Sequence, residues 1–201
     1  MNDGFTSAPA TRILWRSAEQ ESSERFVGAA TPDGWRLDGV VVLPVDDEPA
    51  QISYRVEVDP AWRTRRADVV IDRHARSHRV TFESDGEGTW QVDGTEANAF
   101  AGSVDVDLGF TPATNTLSIR RLSDPGAPDA IAVGETRSLS VAWLPFPGLV
   151  PTPNEQSYTR LAADRWEFRS GDFSAEIVVD ADGYVLRYGD DLWTAVLHRT
   201  G

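Results

Sequence analysis

The chain has no cysteine and no lysine; all 19 of its basic residues are arginine, against 32 acidic side chains, for a net charge of −13 over 201 residues. Without cysteine there is no thiol catalysis, no cysteine-ligated zinc and no disulfide framework. Without lysine there is no Schiff-base chemistry and no phosphate-binding lysine of the P-loop kind. No apolar run reaches the roughly 18–20 residues of a membrane-spanning helix. The first residues, Met1 to Ser17, lack the basic start and apolar stretch of a secretory signal. These absences set a cytoplasmic expectation. Basic residues are too sparse to overcome the acidic field: the densest group, Arg63, Arg65 and Arg66, is flanked by Asp59, Asp68 and Asp72. Nucleic acid is therefore not an expected partner.

What is present repeats with period two. Ile52, Tyr54, Val56 and Val58 alternate with polar residues, as do Phe173, Ala175, Ile177 and Val179. Leu139, Val141 and Trp143 repeat the pattern, as do Trp166 with Phe168, and Tyr184 with Leu186 and Tyr188. Such alternation marks half-buried strands. Asp-Gly pairs at 33–34, 85–86, 93–94 and 182–183 stand between these runs, where hairpin turns require positive φ. The pattern predicts an all-β, antiparallel, single-domain protein (residues 1–201) of about a dozen or more strands and little helix. Ser17–Arg25, polar all round, reads as an edge strand or turn. Val40–Val45 and Leu192–Leu197 place apolar groups on both sides, as in strands covered on both faces, so the sheet must curl back on itself. The proline-rich stretch Leu144–Asn154 reads as a surface connector between two halves of the sheet.

The residues richest in chemistry lie between Asp105 and Leu122. Asp105 and Asp107, two apart in a strand pattern, share one face about 7 Å apart. Such a pair can hold a divalent cation, bind sugar hydroxyls, act as acid and base, or simply pair with Arg120 and Arg121. Thr111–Asn115 reads as a tight turn in which Thr114 and Asn115 bond their own backbone. Arg121 shares strand parity with Leu117 and Ile119, and an arginine on an apolar face needs an acid or an anionic group. His74 and His78 stand about 13 Å apart along a strand, too far for one metal, and His78 reads as partly buried. No G-x-S-x-G frame supports a serine hydrolase. No cofactor is expected. Seven tryptophans can pack in a core, stack on sugars or line an acyl pocket; Trp143 and Tyr158, flanking the connector, suit a cavity mouth.

The run DVDLGFTPATNTLSIRRL resembles the signature of the bacterial putative glycolipid-binding family, with Ser118 where the family usually has proline. The resemblance continues through Val141-Ala142-Trp143, the connector Pro145–Pro153, Gln156-Ser157-Tyr158 and Val179–Gly183. It appears earlier at Tyr54 and Trp62-Arg63-Thr64-Arg65, and so covers nearly the whole chain. It implies a spiral β-roll, a long antiparallel sheet wound around an apolar cavity, and a non-catalytic protein that binds a glycolipid or fatty-acyl conjugate. The candidate ligand contacts are Asp105, Asp107, Asn115, Arg120, Arg121, Trp143, Gln156 and Tyr158. Two other readings stay open: a structural or interaction protein, and a hydrolase using Asp105 and Asp107.

Overall fold

The computed structural model describes residues 10–73 and 76–201. The first half of the chain forms β1 (Ala10–Ser17), β2 (Ser22–Thr31), β3 (Gly34–Val45), β4 (Glu48–Val58), β5 (Thr64–Arg73), β6 (Arg76–Ser84), β7 (Trp90–Val92) and β8 (Thr95–Glu96). After a single 3-10 turn come β9 (Asp105–Leu108), the helix α1 (Asn115–Ser123), β10 (Thr136–Leu144), β11 (Thr152–Arg160) and β12 (Arg165–Ser170). The last strands are β13 (Phe173–Val179), β14 (Val185–Tyr188) and β15 (Trp193–Arg199). All fifteen strands among the described residues belong to one sheet, ordered β8 down to β1, then β15 down to β9. Every pairing is antiparallel except β9 with β10. The terminal strands β1 and β15 therefore meet in the middle of the sheet, and each half is a meander of hairpins apart from the parallel β9–β10 crossover through α1.

The Asp-Gly pairs at 33–34, 85–86, 93–94 and 182–183 fall in turns between consecutive strands, as their chemistry requires, whereas Asp38-Gly39 lies inside β3. At Gly34, φ is +141° and a Cβ would lie 2.1 Å from the Val58 carbonyl oxygen, so this turn admits no side chain. The sheet curls until its β9 edge meets the start of β5. There the Thr64 N–H donates to the Val104 carbonyl (3.0 Å), and Thr64 Oγ1 accepts from the Val106 N–H (3.0 Å). It does not close: β6, β7 and β8 run past this junction, giving an open spiral roll. Bulges at Leu14/Trp15, Glu57/Val58 and Val178/Val179 add local bend. No helix among the described residues is long and apolar enough to cross a membrane.

The inside of the roll is packed with aromatic and aliphatic side chains, among them Trp15, Phe26, Phe82 and Trp166. The centre is occupied by α1. Residues 117–121 are helical, not the strand that their alternation suggests. A segment passing between two curled halves has no strand to pair with, so its backbone groups must bond within the segment. The side chains of α1 reach both halves: Asn115 meets Tyr158 of β11, Arg121 meets Asp105 of β9, and Arg120 lies over Trp35 of β3. Leu117, Ile119 and Leu122 are fully buried.

Other expectations need correction. In Val40–Val45, Val41, Leu43 and Val45 face the core, while Val42 is exposed. In Leu192–Leu197 only Trp193 is buried, and Val196 and Leu197 face outward. Both runs are one-sided strands with apolar outer residues, so they are not what forces the sheet to curl. Ser17–Arg25 holds the β1–β2 turn and the start of β2, which is an inner strand between β1 and β3. The proline-rich stretch joins the neighbouring strands β10 and β11 and includes a cis Phe146–Pro147 bond. His78 is exposed, and His74 lies outside the described residues.

Candidate functional site

Hairpin strands alternate in direction, so the turns gather at two ends of the roll, and α1 runs from one end to the other. At the end holding its N-terminus, a cleft of about 320 Å³ opens to solvent. The β1–β2 and β14–β15 turns contribute Gln20 and Leu192, and the first residue of β13 contributes Phe173. Strands β9, β10 and β11 contribute Asp107, Trp143 and Gln156, and the helix entrance contributes Thr111, Pro112 and Asn115. One wall is aromatic: Phe173 stacks on Tyr188 with centroids 6.1 Å apart, and Phe168 lies 6.0 Å from Tyr188 and 5.3 Å from Tyr158.

The opposite wall is polar. Gln156 Nε2 donates to Asp107 Oδ2 at 2.7 Å, and Thr114 Oγ1 donates to Asp107 Oδ1 at 2.8 Å. Thr114 Oγ1 in turn accepts from the Leu108 N–H at 3.2 Å. Asn115 accepts from the Tyr158 hydroxyl at 2.9 Å through Oδ1 and donates to the Pro112 carbonyl at 3.1 Å through Nδ2. Burial pushes the Asp107 carboxyl above its ordinary value, and the nearby Asp105 adds to the rise; the bonds from Thr114 and Gln156 partly offset it. Burial, and then Asp107, keeps the Tyr188 phenol protonated far above its ordinary range. Among the described residues, Asp107 is the one aspartate, glutamate, arginine or histidine lining the cleft.

The two aspartates thus have separate partners. Asp105 receives a two-pronged bond from Arg121, with Nη2 to Oδ2 at 2.7 Å, and a third from Ser118 Oγ at 2.6 Å. Asp105 and Arg121 are both buried and do not line the cleft. Tyr158 stands behind it, holding Asn115.

Arg120 is at the far end. There a wider cleft of about 910 Å³ is lined by the C-terminal turn of α1, the β4–β5 turn and the β13–β14 turn. Trp35 and Trp62 stack at 5.0 Å, and the Arg120 guanidinium covers both rings, 5.3 and 4.7 Å from their centroids. Arg120 Nη1 is anchored on the Asp182 carbonyl at 2.7 Å. Trp62 has φ +62°, a left-handed conformation held by Asp59, whose Oδ1 accepts from the Ala61 and Arg63 N–H groups. Of the eight candidate contacts, Asp107, Asn115, Trp143 and Gln156 converge on the first cleft.

The family described as "Putative glycolipid-binding" matches residues 12–194. The chain belongs to this family. The match spans every residue lining the first cleft, from Gln20 to Trp193. The chain is also similar to the crystal structure of a DUF1089 family protein from Pseudomonas aeruginosa, with a TM-score of 0.74 and 29% identity over 88% of this chain and 93% of that one. No curated protein matches it.

Sequence reasoning misses the apolar half of the cleft in this member of the family. Phe168, Phe173 and Tyr188 appear only as strand residues, and Leu192 sits in the β14–β15 turn. Their meeting follows from the topology, which no local pattern carries. A second omission is Glu24. It is fully buried beneath the cleft, bonded to the Tyr54 hydroxyl, which lies 3.3 Å from Thr111 Oγ1 at the cleft wall. Its parity with Phe26 is the signal that could have found it.

Proposed function

We propose that the first cleft binds an uncharged amphipathic ligand, a glycolipid or a fatty-acyl conjugate. The apolar part lies along Phe168, Phe173, Tyr188 and Leu192, and a hydroxylated head group bonds to Asp107, Gln156 and Asn115. The observation that carries this reading is one cleft with an aromatic wall and a carboxylate, with no cation lining it among the described residues. Its volume is at the lower end of small-molecule sites. Each methylene removed from water contributes about 0.8 kcal/mol, so the aromatic wall supplies affinity. A carboxylate accepts hydrogen bonds from sugar hydroxyls and repels phosphate, so Asp107 supplies selectivity. The separate partners of Asp105 and Asp107 favour binding over a two-carboxylate hydrolysis, because Arg121 already occupies Asp105.

The test is displacement of a fluorescent fatty-acyl probe. A neutral glycolipid should displace it at lower concentration than an anionic phospholipid of equal chain length. Trp143→Ala and Phe173→Ala should weaken the probe itself. Absence of saturable probe binding, or tighter binding of the anionic lipid, would contradict the reading.

A further inference from the structure

The outer face of the roll, where the two halves of the sheet join, departs from the rest of this acidic molecule. Strands β15, β1, β2 and β3 lie side by side there and together span about 15 Å. Leu14, Val42, Val196 and Leu197 project from them, 39%, 53%, 53% and 47% exposed. They are half of the exposed large apolar side chains among the described residues. Between them stand Arg12, Arg16, Arg25 and Arg199, all exposed.

Register makes the patch continuous. Leu14 faces Leu197 across β1–β15 and Arg25 across β1–β2, and Arg25 faces Val40 across β2–β3. Arg12 and Arg199 stand directly opposite one another. Like charges in that position repel unless an anion lies between them. Among the described residues, Arg16, Arg25 and Arg199 have no ion-pair or hydrogen-bond partner, and Arg12 reaches only the Ala10 carbonyl at 3.4 Å. The carboxylates on strands to either side do not relieve them: Asp38 is held by Arg36 and Arg55, and Glu176 by Arg187.

We propose that this face docks on the surface of an anionic lipid bilayer. Unpaired arginines meet lipid phosphates, and the leucines and valines between them enter the interfacial layer. The interleaving decides the class of partner, because a soluble anion gains nothing from exposed Leu14 and Leu197. Clustering four exposed arginines without ion-pair partners on one face lets a chain of net charge −13 approach a negative surface in one orientation. The inference goes beyond the cleft's ligand and does not depend on it.

The full chain should co-sediment with vesicles of phosphatidylcholine carrying about 30% phosphatidylglycerol, and much less with phosphatidylcholine alone; added salt should release it. Arg16→Glu combined with Arg25→Glu should lower partitioning at least about tenfold. Leu14→Ser with Leu197→Ser should lower it several-fold at unchanged charge. All four positions are exposed, and an unchanged melting temperature separates lost docking from lost fold. Equal partitioning to both vesicle types, or variants that bind like the parent, would overturn the proposal. So would a lipid-free dimer that Leu197→Ser dissolves, since the patch would then be a contact between copies.

Discussion

Asp105 and Asp107 differ by two positions on one short strand, and their partners give them opposite sensitivities. Asp105 is sealed with Arg121 and Ser118, so Asp105→Ala leaves a guanidinium buried beside Asp129 alone, 3.4 Å from Nε. Removing one partner of such a pair costs about 3–5 kcal/mol, and chemical denaturation should read that loss. Asp107→Asn keeps a partner for Thr114 and should leave melting nearly unchanged while weakening a hydroxylated ligand. Glu24 gives a third signature. Burial raises its carboxyl from 4.5 to about 7, against the hydrogen bonds from Tyr54 and Thr111. In the unfolded chain it ionises near its ordinary value, so the folded state loses stability as pH rises from about 4.5 to 7, and the loss levels off above. The shift corresponds to about 3 kcal/mol. Glu24→Gln should remove that part of the slope when stability is measured across this range. A slope identical to the parent's would mean that Glu24 is not held neutral.

At the scale of elements, the strands were legible and the helix was not. Tyr54 and its neighbours alternate because one face of β4 is core and the other solvent, which is what period two reports. The Asp-Gly turns were legible for the same local reason. Around Ile119 the alternation misled, because a helix buried on nearly every side need not show a 3.6-residue stripe. Its conformation follows from its lack of strand neighbours, a tertiary fact. Ile119→Ala should cost about 2–5 kcal/mol, because the side chain is fully buried in the centre of the roll. Gly39 tests β3 in the same way. A Cβ there would lie 2.1 Å from the Tyr54 ring, so Gly39→Ala should displace Tyr54 and lower the melting temperature. A neutral result would mean that β3 and β4 can shift apart.

At the scale of the whole molecule, the described residues form an open sheet wound around one α-helix, with a cleft at each end of that helix. The polar wall of the first cleft was within reach of the sequence, because Asp107, Asn115, Trp143 and Gln156 fall in or near the stretches that carry the family resemblance. The aromatic wall was not, because it is assembled from side chains of neighbouring strands, Phe168 of β12, Phe173 of β13 and Tyr188 of β14, with Leu192 from the β14–β15 turn. Filling of the roll's centre by α1 leaves the ligand the end of the roll and not its axis, so short-chain amphiphiles should bind as well as long ones. The most direct test is a crystal structure with a short-chain alkyl glucoside at saturating concentration. The account predicts the alkyl chain between Phe173, Tyr188 and Leu192, with sugar hydroxyls on Asp107 and Gln156. Density confined to the Trp35–Trp62 cleft, or a first cleft left without ligand at saturation, would contradict it.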